Sequence, residues 1–302
     1  MGEGWGSPAG KKEMKTNTIT RRQAVKSLAL SGLALPLLGQ LQAQAQPAAR
    51  AAGKRAPLRL GLATYSLRHL PIDDAIPVMK EMRVEFIGPF RAHIPWGGAA
   101  AQCKAIADKL WEAGFTLTGS GVFRLPNEEK AVRQAFENAR AARLVTMVCS
   151  PEMAALPLVE RFVKEFDQKI AIHNHGPEDK VFPTPKEALV AVQKLDPRIG
   201  LCIDVAHTAR TGTDPIEMIR LCAPRLYDFH VRDTVSPVGD TTDDPTDVGA
   251  GRLDIIGILS ALMEVGYTGV VALEYEKPSN LVGGVFESLG YLRGVLATLQ
   301  RS

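Results

Sequence analysis

The stretch KIAIHNHGPED, residues 169–179, is a short apolar run that ends in two histidines, His173 and His175, two residues apart. Residues two apart on a strand face the same way, so the pair is either a metal site or two polar residues closing a buried strand. The surrounding chain decides which.

Working outward, the same pattern recurs along the chain. Short apolar runs read as strands: LRLGLATYSL, VEFIGPF, FTLTGSGVF, LVTMVCS, KIAIHNH, RIGLCIDVAH, RLYDFHVRD and GVVALEYE. Between them lie segments of helical periodicity, among them AAAQCKAIADKLWEAG, EEKAVRQAFENARAA, LPLVERFVKEFD and DIIGILSALMEVG, and FESLGYLRGVLATLQ closes the chain. Eight strand–helix units in about 245 residues predict an α/β fold, a single (β/α)8 TIM barrel over residues 58–302 with no internal seam. Near-continuous apolar strands suit a parallel sheet covered on both faces, and a doubly wound open sheet is the competing arrangement.

A barrel places its chemistry at the C-terminal ends of its strands. The fifth run ends in His173, Asn174 and His175, the sixth in Asp204 and His207, the seventh in His230 and Asp233, and the eighth in Glu274 and Glu276. Four of the six histidines and four carboxylates therefore gather on one rim. Imidazole and carboxylate together are what a divalent Mn, Co, Zn or Mg ion requires. Any of these histidines and carboxylates is a candidate ligand.

The chain has 302 residues, 45% hydrophobic and 23% charged, with a formal net charge of +3. Residues 1–45 hold six Lys or Arg against two Glu, so the remainder carries −1. That balance gives no electrostatic case for a nucleic-acid partner. Within those residues TRRQAVKSLALSGLALPLLGQLQAQA has a twin arginine, an apolar stretch and an A-x-A pattern at 43–45. These features predict a Tat-type signal peptide over 1–45, periplasmic export and a Pro/Ala/Gly-rich linker over 46–57. No other segment is apolar for long enough to span a membrane once the signal is cleaved. The four cysteines sit inside strand-like and helix-like runs without short spacings, which predicts buried free thiols. A homo-oligomer is compatible with the sequence.

At these residues the chain resembles the xylose isomerase-like TIM-barrel family, the sugar phosphate isomerase/epimerase group. The resemblance covers about residues 58–300 and is carried by LGLATYSLR, HNHG, GLCIDVAHTARTG, HVRD and LEYE. Similar barrels bind a metal through one residue from each of strands five to eight, which implies Asp204, His230 and Glu274. On strand five this sequence has HN where many relatives have EN or EV, so either His173 or His175 takes the ligating position.

Such a metal polarises the carbonyl and adjacent hydroxyl of a keto-sugar and stabilises the enediolate left when a base removes the α-proton. Family epimerases trade protons between glutamates on strands five and eight; here Glu274 remains and its partner is replaced. Glu152, Glu178 and Asp233 are the other acid or base candidates, and His207 and Asp233 are candidates for orienting the ligands. Arg232 and Lys277 are weaker candidates for holding substrate, and His93, Pro95 and Trp96 follow the second strand on the same rim. No phosphate cradle is evident, GAGR at 249–252 being too short a signal, and export disfavours a sugar phosphate. The expected activity is metal-dependent isomerisation or epimerisation of an unphosphorylated keto-sugar, a small-molecule carbohydrate. The alternatives are a metal-dependent lyase or hydratase of a keto-glycoside and a non-catalytic carbohydrate-binding barrel.

Overall fold

The computed structural model describes residues 57–301. The signal-peptide reading of residues 1–45, and the 46–57 linker apart from Pro57, lie outside the described residues.

The apolar runs fold into β1 (Arg59–Ala63), β2 (Phe86–Gly88), β3 (Thr116–Leu117), β4 (Phe123–Leu125), β5 (Thr146–Pro151), β6 (Lys169–His173), β7 (Ile199–Asp204) and β8 (Leu226–Val231). A small antiparallel pair follows, β9 (Asp233–Thr234) with β10 (Pro245–Thr246), and then β11 (Val270–Leu273). The helices are α1 (Ile72–Glu81), α2 (Ala100–Glu112), α3 (Glu129–Ala141), α4 (Leu156–Phe166), α5 (Pro185–Val192), α6 (Val205–Arg210), α7 (Pro215–Cys222), α8 (Ile255–Glu264) and α9 (Leu281–Leu299).

Nine strands form one parallel, curled sheet in the order β3-β2-β1-β11-β8-β7-β6-β5-β4. The first strand lies beside the last, which a doubly wound sheet does not require and a cyclic arrangement does. Backbone bonds also run from Val145 N–H to Leu117 O and from Thr146 N–H to Thr118 O, both 3.1 Å, so the start of β5 reaches back to the β3 end of the order. The third run is split, with β3 and β4 flanking a Ser-Gly-rich segment. There Gly119 passes so close to Asp228 that a Cβ would stand 2.4 Å from its Oδ2.

Every residue of β5, β7 and β11 is buried, as strands covered on both faces must be. Helices cover the outer face through apolar stripes; α4 buries Leu156, Val159, Phe162 and Val163. On β6, β7, β8 and β11 the alternation sorts the side chains. Ile170, Ile172, Leu201, Ile203, Phe229, Val231, Val271 and Leu273 join the main core, while Ala171 and Cys202 pack with Val148 in a separate inner cluster. Period two then carries His173, Asp204, His230 and Glu274 onto that inner side. The register places His173 opposite Cys202 and Asp204 opposite His230.

Two expectations change. His207 is not at a strand end, because β7 stops at Asp204 and α6 begins at once, capped by the Asp204 carboxylate accepting from His207 N–H at 2.8 Å. Asp233 belongs to the β9–β10 pair rather than to the end of β8. All four cysteines are buried and unbridged, as the sequence predicts. Among the described residues no helix is long and apolar enough to cross a membrane.

Candidate metal centre

His173, Asp204, His230 and Glu274 each offer one ligand atom within 4.8 Å of the others. His173 Nε2 stands 3.1 Å from His230 Nδ1, and that same Nδ1 is ion-paired with Glu274. Donors held about 2.0–2.2 Å from one divalent centre lie about 3–4.4 Å from one another, so this spacing fits a single ion. Two facing imidazole nitrogens can share one proton at most, and a buried carboxylate pair calls for a cation. The residues present therefore suit a divalent metal. Cys202 also approaches His173 and His230, giving a second candidate donor group, and without an ion burial pushes its thiol up to about 12.

The charges around the cluster are interlocked. Arg232, 2% exposed, donates from Nε to Asp204 Oδ1 at 3.2 Å and forms ion pairs with Asp243 and Glu276. Burial would raise the Asp204 pKa, but Arg232, His207 and the His207 amide outweigh it and hold the group at about 2. Burial, then the neighbouring histidines and Arg232, push His173 well below the usual imidazole range. Against the opposing effect of burial, Cys202 and Glu274 raise His230 well above it. His207 is lowered to about 4, chiefly by burial. Its Nδ1 lies 3.0 Å from an Arg232 nitrogen and 3.2 Å from an Arg210 nitrogen. Arginine donates only, so Nδ1 accepts and the ring hydrogen sits on Nε2.

His173, His230 and Glu274 of the cluster line a cavity of about 230 Å³, together with His175, His207 and Glu276. The same cavity is lined by Tyr65 and Phe90, packed edge to face at 4.8 Å, and by Arg91 and Arg124. Sequence reasoning did not single out these four as site residues. Tyr65 lies within the LGLATYSLR motif, and Arg124 is a charged residue between two buried ones on β4, which is the only signal for it.

Other sequence candidates stand elsewhere. His175 lines the cavity but is outside the four-donor set, with Nδ1 buried, unbonded and 3.6 Å from Asp179; burial, then Arg124, lowers its pKa. Glu152 accepts from Asn127 N–H at 3.0 Å and Glu178 is ion-paired with Arg210; neither lines the cavity. Asp233 is buried and accepts from the amides of Thr234, Gly249, Gly251 and Leu253 at 2.9 to 3.2 Å. That carboxylate fills the turn at GAGR, so its work is to hold the loop. Lys277 pairs with Asp247 at 2.5 Å, while His93 bonds Thr64 and Leu70, and Trp96 bonds Pro89 O.

Residues 154–295 match the family model described as xylose isomerase-like TIM barrel. Among curated relatives, the inosose isomerase of Bacillus subtilis is 29% identical over 113 residues, 36% of this chain and 41% of that protein. The chain spans from about three tenths to about half the length of the curated relatives it matches. Among solved structures, IolI with a bound zinc atom superposes with a TM-score of 0.66 at 16% identity, covering 80% of this chain and 99% of that one. The 3-keto-D-glucoside 4-epimerase YcjR of E. coli superposes at 0.64 with 14% identity, covering 78% and 99%. The family match and these shared folds support a xylose isomerase-like TIM-barrel architecture for this chain.

Proposed function

We propose that the chain is a divalent-metal-dependent isomerase or epimerase of an unphosphorylated keto-sugar, built on a single (β/α)8 barrel whose third strand is interrupted. The observation that carries this is the convergence of His173, Asp204, His230 and Glu274, three of which line a small polar cavity. The naming of relatives as inosose isomerase and 3-keto-D-glucoside 4-epimerase agrees with it. A bound ion would supply Lewis acidity, polarising a carbonyl and its neighbouring hydroxyl so that the α C–H becomes acidic.

The chain's own residues do the rest. Asp204 is fixed through Oδ1 by Arg232 and by the His207 amide, which leaves its second oxygen for the ion. His207, with its hydrogen on Nε2, donates to a substrate oxygen. Glu274, a member of the cluster that also lines the cavity, is the carboxylate placed to take an α-proton. Tyr65 and Phe90 line the same cavity and limit water.

One observation favours a second reading, elimination from a keto-glycoside by a lyase or hydratase. Glu152 and Glu178 lie away from the cavity and Glu276 is engaged by Arg232, so proton exchange between two free carboxylates lacks its second member. Elimination needs one base and a leaving group. Incubating the metal-loaded protein with keto-sugars and keto-glycosides in D2O, followed by NMR, separates the readings. Deuterium α to the carbonyl without loss of a group supports isomerisation or epimerisation, and release of an aglycone or of water supports elimination. Neither, with metal bound, leaves a carbohydrate-binding barrel. The twin-arginine sequence supports export to the periplasm; fractionation of cells, with and without Arg21→Lys and Arg22→Lys together, tests it.

A further inference from the structure

We infer that the substrate carries an anionic group, the carboxylate of a sugar acid, held by Arg91 and Arg124, which line the same cavity as the metal cluster; this rests on the metal-dependent reading of that cluster. The two guanidinium groups differ from the other charges around the cavity in having no opposite charge. Arg232 pairs with Asp243 and Glu276 as well as Asp204, and Arg210 with Glu178 and Asp243. A divalent ion would be balanced by Asp204 and Glu274. Among the described residues, no carboxylate pairs with Arg91 or Arg124. Arg91 lies over the Phe90 ring at 5.4 Å, and Arg124 makes only a 3.4 Å contact to Ser150 Oγ.

The loaded cavity would thus carry two unpaired guanidinium groups as well as Lewis acidity. Both arginines are exposed, and a neutral sugar would leave them paired with water alone. A ligand with its keto end at the metal and a planar anion at the far end would satisfy both, and guanidinium recognises carboxylate by paired N–H donors. A phosphate ester offers a similar anion. No amide-lined phosphate cradle is free for it at GAGR, where the Asp233 carboxylate already occupies the backbone N–H groups.

Calorimetric titration of the Mn²⁺-loaded chain with D-fructuronate, D-fructose and D-fructose 6-phosphate tests this, because the three share a 2-keto-sugar skeleton and differ in the group at C6, the end away from the ketone. The expected result is D-fructuronate bound about tenfold or more tighter than either of the others. The Arg91→Gln, Arg124→Gln double variant should lose that preference while keeping wild-type metal content and melting temperature. Equal binding of acid and neutral sugar, or a preference that survives in the double variant, overturns the inference. Tightest binding of D-fructose 6-phosphate overturns its sugar-acid form. Failure of the chain to hold Mn²⁺ strikes the reading of the cluster instead, since the preference for acid over neutral sugar is measured separately on the same sample.

Discussion

At the scale of single residues, the two histidines of HNH have different environments. His173 faces His230 at 3.1 Å within the four-donor set, whereas His175 lines the cavity beyond it. His173→Ala should therefore lower metal affinity by about 10- to 100-fold, and His175→Ala should retain the ion, as read by metal analysis after dialysis. Equal loss in both variants would contradict the assignment. The proton on His230 gives a second test. Cys202 and Glu274 raise its pKa against the effect of burial, so at neutral pH the metal-free ring is protonated, and an ion must displace that proton to bind. Affinity should rise with pH, with about one proton released per ion, until the pH passes the His230 pKa. A flat profile between pH 6 and 8 by calorimetry in buffers of different ionisation enthalpy would exclude the exchange. The strand-end positions of His173, Asp204, His230 and Glu274 were legible because polar residues at the ends of apolar runs need only strand periodicity to be placed; their narrowing to a ligand set comes from the family resemblance, which leaves His173 and His175 as alternatives. Glu152, Glu178 and Asp233 were not, because a carboxylate in a loop can cap an amide, pair with an arginine or meet substrate, and periodicity is silent among these.

At the scale of elements, the loop between β8 and α8 depends on one side chain. Asp233 accepts four backbone N–H groups, and a Cβ on Gly251 would stand 2.1 Å from its Oδ1. Asp233→Ala leaves one buried and three part-buried donors unmatched and should cost about 1–3 kcal/mol in urea denaturation, with metal content at saturating ion unchanged. Loss of metal with unchanged stability would return Asp233 to the ligand-orienting role the sequence suggested. The parallel strands were legible from their apolar runs. The split into β3 and β4 and the immediate start of α6 were not, since the first depends on a close approach to Asp228 and the second on a cap supplied by Asp204 itself.

At the scale of the whole molecule, the four cysteines report on how tightly the barrel is packed. All are buried, and desolvation pushes Cys202 and Cys222 up to about 12 and Cys103 and Cys149 upward as well. Thiolate is the reactive form, and raised pKa values leave little of it below pH 9. The native chain should react negligibly with Ellman's reagent between pH 7 and 9 and release four equivalents in guanidinium; rapid reaction of the native protein would show that the fold opens. The first strand's place beside the last brings residues separated by about 200 positions to one cavity, with Tyr65 near Glu274. That proximity comes from the curl of the sheet, so the arginine-bearing wall could not be assigned from any local stretch. The account stands most directly on the metal. Elemental analysis of the purified chain and of Asp204→Ala, His230→Ala and Glu274→Ala, each verified as cooperatively folded, should give about one divalent ion per wild-type chain and far less in every variant. Undiminished metal in all three variants, or none in the wild type after reconstitution, would contradict it.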